Sequence, residues 1–375
     1  MKSSTTPRRP FLQRRPTRIV VLLIAVALLA TWFARPAAAP PRGSGQPMQA
    51  IVYEKYGPPD VLRLAQVEKL LPDDHQVLVK VHAAAANPLD WHYLRGTPYL
   101  MRMDSGLFEP TVGRLGVDLA GTVEAVGREV TQFKPGDEVF GTAAGAFGEY
   151  ARAAEKRLAL KPANLSFEQA AAVPIAASTA LQGLRDKGHL QPGQKVLING
   201  ASGGVGTYAV QIAKALGAEV TGVCSTRNVE LVRSLGADHV VDYTKSNFTA
   251  GSERYDLILD NVGNHGLLDY RRVLKPKGTY VLIGGGGPDA GKWIGPFGKV
   301  IWAFLLSPFV DQEFVMLLAE INQRDLGVMS EWLQARKLVP VIDRRYALHE
   351  VPEAIRYLET GRARGKVVVT VAGSD

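Results

Sequence analysis

The stretch KVLINGASGGVGTYAVQIAKALGAEVTGVC, residues 195–224, narrows most what this 375-residue chain can fold into. It joins an apolar strand, a glycine-rich turn, a helix from about Gly204 to Leu216 and a second strand, the repeating unit of a doubly wound parallel sheet. Ala201-x-Gly203-x-x-Gly206 carries alanine where a dinucleotide-binding turn has its first glycine. Gly203 lets the backbone approach a pyrophosphate, Gly206 lets the helix pack on the strand, and the helix start offers free N–H groups and a positive dipole end. The cradle therefore comprises Ala201, Ser202, Gly203, Gly204, Val205 and Gly206. The second strand ends in Cys224-Ser225-Thr226-Arg227-Asn228 with no acid to bind ribose hydroxyls, while Arg227 is placed for a phosphate contact. NADPH is favoured over NADH.

On either side of this unit the patterns differ. Residues 50–54 and 76–82, and then LAGTVEAVG, KPGDEVFG and GEYARA, are short β-branched runs divided by Gly, Pro and Asp turns. The pattern changes at Ser166, which with Gln169 forms a capping box opening a helix. Strands and helices then alternate through TYVLIG. The expected fold class is α/β: a β-rich lobe over 48–170, a Rossmann lobe over 171–310, and a return to the first lobe over 311–375.

The formal charge of +8 suggests an acidic partner only until it is located. Lys2, Arg8, Arg9, Arg14, Arg15, Arg18, Arg35 and Arg42 supply all of it, and no acid precedes Glu54. The rest is balanced, so no nucleic-acid role is expected. These arginines flank a 16-residue apolar run at 19–34, and TPRRPFLQ before it is similar to a twin-arginine export motif. Residues 1–47 are thus expected to be a signal or membrane anchor with a flexible tether at 42–47, giving membrane contact through 19–34 and a membrane-associated or exported protein. The alternative is a start at Met48 and a cytoplasmic enzyme.

From Met48 to Val371 the chain resembles the medium-chain dehydrogenase/reductase superfamily, in its zinc-free quinone oxidoreductase branch. The resemblance is carried by IVYEKYGPPDVL, AAANPLDWHYLRG, GVDLAGTVEAVG, KPGDEVFG, SFEQAAAVPIAASTALQGL, INGASGGVG and ARGKVVVTV. It implies a GroES-like β lobe, a Rossmann lobe, a cleft between them, and a homodimer. Carried residue by residue, it implies Thr179 at the nicotinamide ribose, Ser225, Arg227 and Tyr243 at the adenosine phosphate, and Asn261 and the Ile283, Gly284, Gly285 backbone at the nicotinamide. Asn87 and Asp90 match its N-x-x-D motif lining the cleft, and His92 stands where quinone reductases often have Tyr.

Cys224 is the only cysteine, and GVDLAG supplies no histidine, so neither a catalytic nor a four-cysteine structural zinc site can be built. Without a Lewis acid, oxidising a simple alcohol is hard, whereas hydride transfer to a conjugated acceptor places charge on an oxygen that hydrogen bonds can stabilise. The expected function is transfer of hydride from NADPH to a small hydrophobic quinone or α,β-unsaturated carbonyl. Asn87 and His92 are expected to polarise or protonate the oxygen, with Asp90 beside them. Alternatives are an alcohol or aldehyde dehydrogenase and a non-catalytic NADPH-binding protein. The apolar residues 293–321, with Trp293, Phe297, Trp302 and Phe304, are expected to cap the cleft or receive a lipophilic acceptor.

Overall fold

The computed structural model describes residues 43–284, 293, 295, 298, 299, 302 and 310–371. The β-rich part begins with an antiparallel pair, β1 (Gly43–Val52) and β2 (Arg63–Leu70). Beside it β3 (Gln76–Ala86), β4 (Asp118–Val126), β5 (Glu138–Thr142), β6 (Tyr150–Ala154) and β7 (Leu158–Leu160) form a mixed sheet with two strands from the far end of the chain, β14 (Ile342–Ala347) and β15 (Lys366–Thr370), antiparallel throughout except for the parallel pairing of β14 with β15. Its order is β14-β15-β3-β4-β5-β7, with β6 also pairing β3.

The second lobe is a six-stranded parallel sheet of β8 (Lys195–Asn199), β9 (Glu219–Cys224), β10 (His239–Asp242), β11 (Tyr255–Asp260), β12 (Leu274–Leu282) and β13 (Glu313–Met316). The order β10-β9-β8-β11-β12-β13 reverses direction between β8 and β11, the crevice where doubly wound sheets bind ligands.

The run of four alanines at Ala83–Ala86 shows how the lobes join. Strand side chains alternate faces, so Ala83 and Ala85 pack with Ala176, Ala180 and Tyr208 of the Rossmann side, while Ala84 and Ala86 pack with Trp91, Leu94 and Ile355. Small side chains on both faces let a helix layer close onto each side of β3. The helix Phe167–Ala171 opens as the capping box at Ser166 and Gln169 requires, both reciprocal bonds being present.

Three expectations change. Gly43–Pro47, expected as a tether, belongs to β1. β13 and the helix Gln323–Gln334, inside the span expected to return to the β-rich lobe, extend the parallel sheet and bury Leu326, Met329 and Leu333 in its core; the return comes at β14. The expectation of a membrane-associated or exported protein is withdrawn: among the described residues no helix is long and apolar enough to cross a membrane, and the run at 19–34 lies outside them.

A Cβ at Gly206 would stand 2.1 Å from the Gly200 carbonyl oxygen. Backbone on backbone cannot yield as a flexible side chain can, so Gly206→Ala is expected to cost about 1–3 kcal/mol, read as a lower midpoint in denaturant unfolding.

Candidate active-site cleft

Between the lobes lies a cavity of about 820 Å³ along the C-terminal ends of β8, β9 and β11. The Rossmann side contributes Ser202, Gly203, Gly204, Val205 and Gly206, then Ser225, Arg227, Asn228 and Tyr243, and Asn261. The β-rich side contributes Asn87, Arg362 and Lys366. Of the other residues expected at the site, Thr179, Asp90, His92, Ile283 and Gly284 do not line this cavity, and Ala201 is buried beneath the turn. Gly285, Phe297 and Phe304 lie outside the described residues. The Thr179 hydroxyl donates to the Ile175 carbonyl at 2.7 Å.

The turn glycine is Gly200, one residue before the alanine that replaces the expected one. It has φ +78°, a left-handed conformation that favours glycine, and a Cβ there would stand 2.8 Å from Val262. At the switch point Asn199 and Asp260 sit side by side in register. Asp260 Oδ1 accepts from Asn199 Nδ2 at 2.9 Å and from the N–H groups of Val262 and Gly263, and its Oδ2 accepts from the Tyr280 hydroxyl at 2.7 Å. This buried carboxylate fixes the loop that presents Asn261 to the cavity.

Register brings the second cluster together. Val367 pairs with Ala86 and Ala85 with Asp118, so Lys366, Asn87 and Asp118 converge from three neighbouring strand ends. Lys366 Nζ donates to Asn87 Oδ1 at 2.6 Å and to Asp118 Oδ2 at 3.0 Å. Asn87 Nδ2 donates to Asp118 Oδ2 at 2.9 Å and to the Ala85 carbonyl at 3.1 Å, and Asp118 Oδ1 accepts from the Ile175 N–H. Both amide hydrogens of Asn87 are committed, so its side chain has no donor left for a substrate oxygen. Burial pushes the Asp118 carboxyl upward, opposed by the Lys366 ammonium and the Asn87 amide. Lys366 also runs beside the glycine-rich turn, where a Cβ at Gly204 would stand 3.2 Å from its Cδ.

Asp90 caps the helix Pro88–Arg95, its Oδ2 accepting from the Asn87 N–H at 2.7 Å. It is fully buried, and burial raises its pKa to about 7. His92 lies further along the same helix, stacked on Trp91, with Nδ1 2.6 Å from the Thr97 carbonyl. A carbonyl only accepts, so Nδ1 carries the proton and Nε2 is an acceptor; burial lowers the ring's pKa. His92 is therefore held neutral, with no proton to give from Nε2.

At the end of β9, Arg227 Nη2 donates to the Arg362 carbonyl at 2.7 Å. Asp242, at the end of β10, is occupied by the hydroxyls of Thr226 and Thr244, which hold its pKa down to about 2. Asn228 and Asn261, both lining the cavity, each have a buried side-chain oxygen without a partner. An elongated cavity floored by glycines, with two such acceptors and cations along its length, fits a nicotinamide dinucleotide. Arg362, Lys366, Asn199 and Asp260 were not singled out from sequence, since only register places them at the cleft.

Two lobes, a doubly wound sheet and a glycine-lined cleft at its switch point define a nicotinamide-dependent oxidoreductase of two-lobed type. Residues 73–163 match the family described as alcohol dehydrogenase GroES-like domain and residues 235–369 that described as zinc-binding dehydrogenase, and the chain belongs to the medium-chain dehydrogenase/reductase superfamily. It is 36% identical over 338 residues to 2-methylene-furan-3-one reductase of Solanum lycopersicum, spanning 86% of this chain and 79% of that one. It is 35% identical over 339 residues to the chloroplastic NADPH-dependent alkenal/one oxidoreductase of Arabidopsis thaliana, with the same coverage. Among solved structures, the quinone oxidoreductase from Coxiella burnetii superposes with TM-score 0.77 at 31% identity, over 87% of this chain and all of that one.

Lys366→Met leaves the Asp118 carboxylate buried without its counter-charge, an expected loss of about 3–5 kcal/mol. Adding Asp118→Leu should restore much of it in a double-mutant cycle. Asp90 predicts a pH effect. The native state keeps its proton up to about pH 7, whereas the unfolded carboxyl releases it near ~4. The native state thus binds more protons across that window, and stability falls as pH rises through it. In thermal melts, Asp90→Asn should flatten that part of the profile.

Proposed function

We propose that this protein transfers hydride from NADPH to a quinone or α,β-unsaturated carbonyl without a metal ion. The observation that carries the reading is the cleft itself, a glycine cradle at the switch point whose fixed charges on both lobes are cationic. When bound, the reduced nicotinamide supplies the hydride. Ser202, Gly203, Gly204, Val205 and Gly206 hold the diphosphate by backbone N–H groups, with the Lys366 ammonium beside them. Ser225, Arg227, Tyr243 and Arg362 receive the adenosine phosphate, so the two arginines approach it from different lobes. Asn261 orients the nicotinamide end, with Thr179 and the backbone of Ile283 and Gly284 behind it.

Asn87, Asp90 and His92 shape the acceptor side. Asn87 serves as a positioning residue, since its amide is spent on Asp118, Ala85 and Lys366. Neutral His92 stands behind Asn87 on the same helix and has no proton to give from Nε2, leaving solvent to protonate the product. Zinc independence is supported by the donor set: Asp118 is shared between an ammonium, an amide and a backbone N–H, and a second cation would be repelled there. Among the described residues no three His, Cys, Asp or Glu side chains are grouped to hold a metal ion. A homodimer belongs to the same reading, β13 being the outer strand of the parallel sheet.

The test is NADPH oxidation with a short-chain quinone and an enone in parallel, NADH as control donor, and a chelator-treated sample alongside. Turnover that survives chelation is expected; loss of turnover restored by zinc would overturn the metal-free reading. Arg227→Ala with Arg362→Ala should raise KM for NADPH about 10- to 100-fold, two charge-assisted contacts being lost, and leave KM for NADH nearly unchanged. Equal effects on both donors would refute the assignment of the phosphate site.

A further inference from the structure

Asn228 closes the short helix Thr226–Asn228 and is 5% exposed, yet its side chain reaches two hydroxyls that belong to different parts of the cleft. Its Nδ2 donates to Ser202 Oγ on the glycine-rich turn at 2.9 Å and to Ser225 Oγ at the end of β9 at 3.3 Å. The backbone brings it there. Three residues past Ser225 the chain folds back, and the Asn228 N–H donates to the Ser225 carbonyl at 2.9 Å. One amide thus ties the turn to the strand end.

The direction of these bonds has a chemical consequence. An amide nitrogen only donates, so each serine oxygen accepts on that side and keeps its own proton for another partner. Among the described residues neither hydroxyl has an acceptor, and both serines line the cavity. The reverse placement of the amide, with Oδ1 toward the serines, would leave both of its N–H donors buried and unpaired. The placement found leaves only the Oδ1 oxygen without a partner, and a carbonyl oxygen tolerates that state better than an N–H does. A carboxylate at this position would do the opposite, since it only accepts and would draw both serine protons to itself.

We propose that Asn228 is a positioning residue for the cofactor phosphates: its amide turns the hydroxyl protons of Ser202 and Ser225 toward the cavity, the first as a donor to the diphosphate and the second as a donor to the adenosine phosphate. The inference rests on the NADPH reading above and adds a residue that acts through two others. An anion gains more from such donors than a neutral group would, because charge-assisted bonds are the stronger ones. Donors that already point at the ligand also cost less to order when it binds.

The test measures Kd for NADPH with the whole protein, by calorimetry, and kcat with an enone at saturating NADPH. Asn228→Leu removes the amide at similar volume and is expected to raise Kd about 3- to 10-fold, with kcat nearly unchanged because other residues hold the nicotinamide end. Asn228→Asp keeps the shape and both contacts but reverses the protons, and should raise Kd further. In a background carrying Ser202→Ala and Ser225→Ala, the leucine change should add no more than about twofold, and the aspartate change should lose much of its effect. Equal effects in both backgrounds would assign Asn228 to packing or to charge alone and overturn the proposal. Should Asn228→Leu fail to fold, the comparison of Asn228→Asp between the two backgrounds decides by itself. NADPH binding by the wild type leaves the oxidoreductase reading standing in every one of these cases, whereas a wild type that binds no NADPH removes both.

Discussion

The ion pair between Lys366 and Asp118 is the constraint on which the cleft depends. Both side chains are almost completely buried, and burying two charges costs several kcal/mol per ion unless their remaining hydrogen-bonding capacity is used. Here the Asn87 amide and the Ile175 N–H use it. That satisfaction is available in only one register, with β15 beside β3 and β3 beside β4, because a slip of one residue would turn Lys366 and Asp118 to opposite faces. The pair thereby decides how the last strand of the chain lies against the first sheet. It also brings Gly365 alongside Gly203, where the two form a backbone bridge between the terminal segment and the glycine-rich turn.

The same economy of charge explains how an evenly balanced molecule holds an anion-receptive cleft. Beyond the basic N-terminal segment the chain has as many acids as bases, so overall charge says nothing about the ligand. Position does. The acids near the cleft are turned inward and consumed: Asp260 by Asn199, Tyr280 and two backbone N–H groups, Asp118 by Lys366, and Asp242 by two threonines. The cations on the cavity wall are Arg227, Arg362 and Lys366, of which Arg227 spends one Nη2 donor on a neutral carbonyl. In a crevice walled by low-dielectric protein, three such groups weigh more than a distant surplus would.

Much of this was legible in the sequence, for identifiable reasons. The strand-turn-helix-strand at 195–224 is local, and local periodicity with glycine placement suffices to define it. The capping box at Ser166 is equally local. The motif spacing places its first position at Ala201, whereas the left-handed turn is made by Gly200, a backbone conformation that spacing does not encode. The meeting of Lys366 with Asp118 was not legible because it depends on pairing between strands some 280 residues apart in the chain, Ala86 with Val367. The motif names Asn87 but not its hydrogen bonds. An N-x-x-D motif shows a polar residue entering a helix, and only the contacts reveal that its amide is fully engaged.

Those contacts also separate what is fixed in the cleft from what a ligand can exchange. The Gly203–Gly365 bridge and the Lys366 cluster are buried and satisfied, so opening them would strand charges. The Arg227 bond to the Arg362 carbonyl is different: it is exposed and pairs a cation with a neutral acceptor. A phosphate dianion is a stronger acceptor for the same guanidinium, and its charge-assisted bonds would outweigh the one given up. On the NADPH reading proposed above, the Arg362 guanidinium, carried on the segment whose carbonyl is released, would stand beside the same anion. On that reading, cofactor phosphate would replace an interlobe contact made by backbone with one made through the ligand. The lobes would then be joined at the rim by the bound dinucleotide, while the buried pair beneath keeps them in register.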